Sequence, residues 1–265
     1  MVIFVSDLFV KDYVGGGELS TQSLIETSLL PTAQINSRFV TVDIMKQHKG
    51  AFWTFGNFSE LSLDCMVYAI KNLKYAVLEY DYKYCKYRSP EKHESEEGAC
   101  DCELQQIAKA VTMFMMHSKA TFWMSHKQQQ RYLEKFRFLE GSNNIVLSSM
   151  FSEQTLNYIT SLDISKKNNK YLILNSNSWI KGTNDAIMYA EENELEYELV
   201  WGIEYKDMLQ KLADSKGIIF FPKGGDTCPR FTIEAKLLGC DLILNDNVQH
   251  KDEPWFQTIE GAKEY

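Results

Sequence analysis

The chain has 265 residues, with 28 Lys and Arg against 36 Asp and Glu, giving a formal net charge of −8. An acidic surface repels a phosphate backbone, which argues against general nucleic-acid binding. Hydrophobic residues make up 45% and charged residues 24%, so there is ample apolar material to bury and wholesale disorder is excluded.

Short apolar runs alternate with stretches of helical period along the whole chain. Residues 2–5 read as a buried first strand; Asp7 follows at once, with no basic segment ahead and no small-residue cleavage site, so no secretory signal is expected. Residues 19–30 carry apolar side chains at helical spacing and stop at Pro31. Residues 51–55 predict a strand, 61–73 a helix, 75–78 a strand, 103–117 a helix, 121–124 a strand and 128–136 a helix. Between them, residues 89–99 are strongly polar and without period, which predicts an exposed loop.

A second series opens at residues 171–174, a strand. Helices are predicted at 184–192, 205–212 and 231–238, and strands at 196–200, 217–221 and 242–244. Strand and helix alternating twice over indicates an α/β protein with mostly parallel sheets. The polar segments 141–144 and 165–170 are natural breaks, and we divide the chain into two Rossmann-like halves, 1–143 and 144–265, facing a central cleft. No stretch is long and apolar enough to span a membrane. The six cysteines are spread along a chain large enough to fold without staples, so a reduced, cytoplasmic protein is expected.

Three loops carry residues suited to binding an anion. Gly15-Gly16-Gly17-Glu18 stands directly ahead of a helix, where bare backbone N–H groups and the helix dipole favour a phosphate. The dinucleotide fingerprint G-x-G-x-x-G is not met, because Ser20 holds its last position, which counts against an NAD-dependent oxidoreductase. In the second half, Asn175-Ser176-Asn177-Ser178-Trp179-Ile180-Lys181-Gly182 follows a strand, with Thr183 placed to cap the next helix and Lys181 able to neutralise a phosphate. Then Pro222-Lys223-Gly224-Gly225-Asp226-Thr227-Cys228-Pro229-Arg230 leads into a helix carrying Glu234, with Pro229 suited to its first turn. Both lie at the carboxyl end of a strand, where α/β sheets bind ligands.

These three motifs, in this order, resemble those of GT-B glycosyltransferases, specifically the family-4-like retaining enzymes that use nucleotide sugars. Gly15-Gly16-Gly17-Glu18 resembles their amino-terminal Gly-Gly-Ala-Glu loop, and Lys181-Gly182 their Lys-Gly pair. Asp226 through Glu234 resembles their E-x7-E motif, followed by Glu234-Ala235-Lys236-Leu237-Leu238-Gly239 as Glu-Ala-x-x-x-Gly. The resemblance implies a GT-B fold and transfer of a sugar from a nucleotide diphosphate sugar to an unidentified glycan, lipid-linked or small-molecule acceptor, with retention of configuration and no metal required for catalysis. It implies that Gly15, Gly16 and Gly17 approach the donor and that Lys181 holds the diphosphate. Asp226 would bond the sugar hydroxyls, Glu234 the ribose hydroxyls, and the backbone at Gly225 and Thr227 would cradle the phosphates. Ser176 stands where the family has an Arg, leaving Lys223 or Arg230 to replace that cation, and Tyr80 stands where the family has a His. These two departures keep a second reading open, a non-catalytic module that binds a nucleotide sugar or glycan on the same frame.

Two further groups stand outside the resemblance. Cys85, His93, Cys100 and Cys102 gather four soft ligands in the spacing C-x7-H-x6-C-x-C, suited to a structural zinc; a disulfide from Cys85 to Cys100 or Cys102, or free thiols, are the alternatives. Tyr80, Tyr82, Tyr84 and Tyr87 alternate with Lys83, Lys86 and Arg88; if extended, the tyrosines share one side, where they could stack on an acceptor, and Asp81 is a candidate acceptor-side carboxylate.

Overall fold

The first apolar run folds as strand β1 (Val2–Ser6), followed by α1 (Gly16–Glu26), β2 (Thr32–Asn36), α2 (Val42–Gln47), β3 (Phe52–Phe55), α3 (Leu63–Asn72) and β4 (Lys74–Glu79). The chain continues through α4 (Pro90–Glu97), α5 (Gln106–Met116), β5 (Thr121–Trp123), α6 (His126–Lys135) and β6 (Asn144–Val146). This computed structural model describes residues 1–265 and divides into two compact units, Met1–Ser152 and Glu153–Tyr265.

All six strands of the first unit are parallel, in the order β2-β1-β3-β4-β5-β6. Their near-continuous apolar sequences suit a sheet covered on both faces. One face buries Trp53, Phe55 and Tyr75 under α5. Phe114 of that helix stacks on Tyr75 at 4.5 Å between ring centroids and meets Phe55 edge-on at 5.0 Å. The Tyr75 hydroxyl donates to the Phe114 carbonyl at 2.7 Å, so the buried phenol keeps a partner.

The second unit contains α7 (Glu153–Ser161), β7 (Tyr171–Leu174), α8 (Thr183–Glu192), β8 (Tyr197–Val200), α9 (Tyr205–Asp214), β9 (Gly217–Phe220), α10 (Arg230–Leu237), β10 (Asp241–Leu244) and α11 (Ile259–Glu264). Its four parallel strands run β10-β9-β7-β8. In each sheet the unit's first strand lies between its second and third, so the connections leave to opposite sides. By this topology the ligand crevice of each sheet falls at the carboxyl ends of β1 and β3, and again at those of β7 and β9. Both units are thus Rossmann-like α/β folds. No helix is long and apolar enough to cross a membrane.

Three expectations shift. The division falls at 152/153 rather than 143/144, because β6 pairs with β5 in the first sheet. The polar residues ahead of it form a turn, in which the Asn144 amide donates to the Leu139 carbonyl at 2.7 Å and the Trp123 indole donates to Asn144 at 3.0 Å. Residues 89–99 are not a loop but hold helix α4, started by Ser89 accepting from the Lys92 N–H, by Pro90 in the first turn, and ended by left-handed Gly98. The tyrosines do not alternate along a strand. Residues 82–88 fold into two successive turns, which bury Tyr82 and Tyr84 in the core against Tyr132.

Candidate functional site

In the second unit, the loops after β7 and β9 touch. A short 3-10 turn, Trp179–Lys181, carries Lys181 and ends at Gly182, whose φ is +59°. A Cβ at Gly182 would lie 1.8 Å from the Phe221 carbonyl oxygen, so only glycine allows the two backbones this approach. The Lys223 N–H donates to the Ile180 carbonyl at 3.0 Å and locks the contact. Thr183 does not cap α8; its hydroxyl donates to the Leu174 carbonyl at 2.7 Å and tightens the start of the loop. Ser176 is buried there, its hydroxyl accepting from the Ser178 N–H.

This closure brings Lys181 Nζ to 2.8 Å from Asp226 Oδ2, in a partly buried ion pair. Asp226 is held from its other side by the segment after β10. Its N–H donates to the Asn247 carbonyl at 2.9 Å, its carbonyl accepts from the Gln249 N–H at 3.0 Å, and it forms a parallel bridge with Val248. Gly225 and Thr227, which flank it, are buried. Lys223 is exposed and lies 3.7 Å from Asp185.

Glu234 lies deeper, on α10. Its Oε1 accepts from the Tyr205 hydroxyl at 2.7 Å and from Arg230 Nε at 3.3 Å, and Arg230 donates also to the Tyr205 oxygen at 3.1 Å. Burial, then the Glu234 charge, pushes the Tyr205 phenol well above its usual range. Arg230, expected as a phosphate cation, is thus buried beside Glu234.

Behind α10 sits His250, fully buried and stacked on Trp255. The Thr232 hydroxyl donates to the Pro229 carbonyl at 2.8 Å, so it accepts from His250 Nε2 at 3.1 Å, and His250 Nδ1 has no partner. Burial lowers this imidazole from 6.5 to about 3. Nothing in the sequence around His250 marks it, because its contacts come from α10 and from residues that follow it.

In the first unit, Gly15-Gly16-Gly17 opens α1, and Gly17 rests on Tyr80. A Cβ at Gly17 would touch the Tyr80 ring at 3.4 Å, as would one at Gly56. The Tyr80 hydroxyl shares a 2.7 Å hydrogen bond with Thr21. Burial raises Glu18 above its usual value. Asp81 is gripped by Arg88, Nε to Oδ1 at 2.9 Å and Nη2 to Oδ2 at 2.7 Å. Arg88, at φ +59°, also donates to Asn57 at 2.5 Å and lies 3.7 Å from Asp7. Burial would raise the Asp7 carboxyl, but hydrogen bonds from Ser37 and Ser59 and the Arg88 charge outweigh it and hold the group low. Asp7, Asn57, Asp81 and Arg88 therefore meet at the carboxyl ends of β1, β3 and β4. Of these, the sequence singles out only Asp81 as a carboxylate; the others need the strand order.

Beneath them Glu79 is fully buried, 3.1 Å from Lys83 Nζ and accepting from the Tyr132 hydroxyl at 3.0 Å. Burial raises its pKa against the opposing pull of Lys83. Gln128 clamps the same strand end, donating to the carbonyls of Glu79 and Asp81 at 2.9 and 2.8 Å and accepting from the Met124 N–H at 2.7 Å.

Cys85, His93, Cys100 and Cys102 come together with their ligand atoms all within 4.8 Å of one another. Cys85 Sγ is 3.8 Å from Cys100 Sγ, too far for a disulfide, and all six cysteines are free. The cluster has the donors and the spacing to hold a metal ion. A scan against protein-family models and a search of curated proteins find no match to this chain.

Proposed function

We propose that the chain is a glycosyltransferase of the GT-B type, moving a sugar from a nucleotide diphosphate sugar to an acceptor with retention. The observation that supports it best is the Lys181–Asp226 ion pair at the crevice of the second sheet, 45 residues apart in sequence. A cation and a sugar-binding acid stand side by side where a parallel sheet takes its ligands. In this reading the donor diphosphate takes over Lys181, and Asp226 turns to the hydroxyls of the transferred sugar. Negative charge grows on the departing diphosphate, and Lys181 with the backbone N–H of Gly225 stabilises it. Glu234, fixed by Tyr205 and Arg230, faces the ribose with its other oxygen.

Asp81 serves on the acceptor side of this reading, held in place by Arg88. Transfer needs no metal, and zinc in the Cys/His cluster is structural. Free cysteines suit a reducing compartment, the cytoplasm. One observation favours a binding module instead: Tyr80, where the family carries an ionisable His, is packed on two glycines and bonded to Thr21.

The test is a calorimetric titration with UDP, GDP, ADP and CMP and their sugar conjugates, followed by donor hydrolysis. We expect one nucleotide family to bind, Lys181→Ala to weaken it at least tenfold, and Asp226→Asn to abolish turnover while the nucleotide still binds. Binding without turnover in the wild type selects the module. Binding and turnover untouched by either substitution would remove this site.

A further inference from the structure

We infer that Cys85, His93, Cys100 and Cys102 form a zinc centre whose task is to hold the loop that presents Arg88. The inference stands on the first unit alone and does not depend on sugar transfer.

Three of the six distances between the ligand atoms match the edges of a tetrahedral site, and all four atoms lie within 4.8 Å of one another. With Zn–S near 2.3 Å and Zn–N near 2.0 Å, tetrahedral angles require S···S edges of about 3.8 Å and S···N edges of about 3.5 Å. Cys85 and Cys100 sulfurs are 3.8 Å apart, and His93 Nδ1 is 3.7 Å from Cys85 Sγ and 3.3 Å from Cys102 Sγ. Cys85, His93 and Cys102 are buried and Cys100 is half-buried, so the site is closed, as structural zinc sites are.

The imidazole is oriented for ligation. His93 Nε2 lies 3.2 Å from the Glu97 carboxylate one helical turn on, which assigns the ring proton to Nε2 and turns the Nδ1 lone pair toward the sulfurs. Glu97 is itself fixed, accepting from Lys86 at 2.6 Å and from the Tyr87 hydroxyl at 2.9 Å. Packing alone explains neither the histidine among the thiols nor its carboxylate.

The centre is tied directly to the turns that follow β4 of the first sheet. The Cys85 N–H donates to the Tyr82 carbonyl at 2.8 Å, and the Arg88 N–H donates to the Cys85 carbonyl at 2.8 Å. Cys85 therefore sits between the two turns that end at Arg88, and Arg88 adopts its left-handed backbone there. A metal drawing Cys85 to His93 of α4 and to Cys100 and Cys102 closes this excursion at both ends. The Arg88 guanidinium is then carried to Asp81, Asn57 and Asp7.

The experiment measures metal and loop together on the full chain. Protein expressed in zinc-supplemented medium should contain one zinc per chain by elemental analysis, and the cobalt-reconstituted form should show the visible bands of a tetrahedral thiolate site. Cys100→Ser should lose the metal to background and Cys65→Ala should keep it; if Cys100→Ser does not fold, the cobalt spectrum of the wild type decides. Brief trypsin digestion should spare the zinc form at Lys83, Lys86, Arg88 and Lys92. A chelator should raise cutting there at least tenfold, with cleavage elsewhere unchanged. Absence of zinc and of a cobalt thiolate spectrum, or a Cys85–Cys100 disulfide by mass spectrometry, would overturn the centre. Metal loss without new cleavage at these four sites would overturn its task.

Discussion

Acidification should weaken the second unit through His250. Unfolded, this histidine titrates near 6.5; folded, burial holds it to about 3. A group whose folded pKa is lowered binds more protons unfolded, so acid favours unfolding. The contribution of the neutral, buried ring is complete above pH 6.5 and is lost progressively as pH falls toward 3. Each pH unit below 6.5 costs about 1.4 kcal/mol, so a fall to pH 5 removes about 2 kcal/mol. No acidic side chain bonds the ring: Nε2 meets Thr232, Nδ1 has no partner, and Trp255 and Phe256 pack against it. The assay is urea unfolding at pH 7 and pH 5 for the wild type and His250→Phe. Phenylalanine keeps the aromatic packing and cannot titrate, so the cost of the substitution cancels when each protein is compared with itself. The wild type should lose about 2 kcal/mol more than the variant between the two pH values. Equal losses would refute the reasoning, since every other titrating group is shared.

Other substitutions probe particular contacts. Gly182→Ala should cost about 1 kcal/mol for the left-handed backbone alone, and more for the clash with Phe221. It should also force the two loops apart and weaken nucleotide binding, read by melting temperature and titration; an unchanged affinity would show that the loop contact does not set the site. Gln128→Leu strands the buried Glu79 carbonyl and the buried Met124 N–H, at about 1–3 kcal/mol each, and the part-buried Asp81 carbonyl besides. Its chemical denaturation midpoint should therefore fall steeply, and a small shift would mean that water replaces the amide. Lys181→Met should change stability by less than about 1 kcal/mol, because its ion pair is partly exposed; a larger loss would make the pair a structural one.

What the sequence reveals follows from how local each signal is. β7 is legible because four apolar residues stand between polar neighbours, and β1, β3 and β9 for the same reason. Edge strand β2, half-exposed along its length, has no such contrast and goes unseen, as does the short helix α2. Helix α4 escapes because it buries only Pro90 and His93, and so has no apolar stripe. The cysteine–histidine cluster is legible because its members lie close along the chain. Lys181 and Asp226 can be paired only through the family likeness, since nothing local connects them. Asp7, Asn57 and Arg88 converge because β1 lies beside β3 and β3 beside β4, a fact of topology that no spacing encodes.

The bridge between Asp226 and Val248 bears on the order in which the molecule is made. During synthesis Lys181, Gly182 and Asp226 leave the ribosome before the residues that brace Asp226 from behind. Until the chain has run through β10 to Gln249, the Asp226 backbone lacks the partners of both its N–H and its carbonyl. His250 follows immediately and secures α10. The loop that carries the acid is therefore completed late, and a nascent chain halted between α10 and β10 would have every charged residue of the crevice without the brace that aligns them.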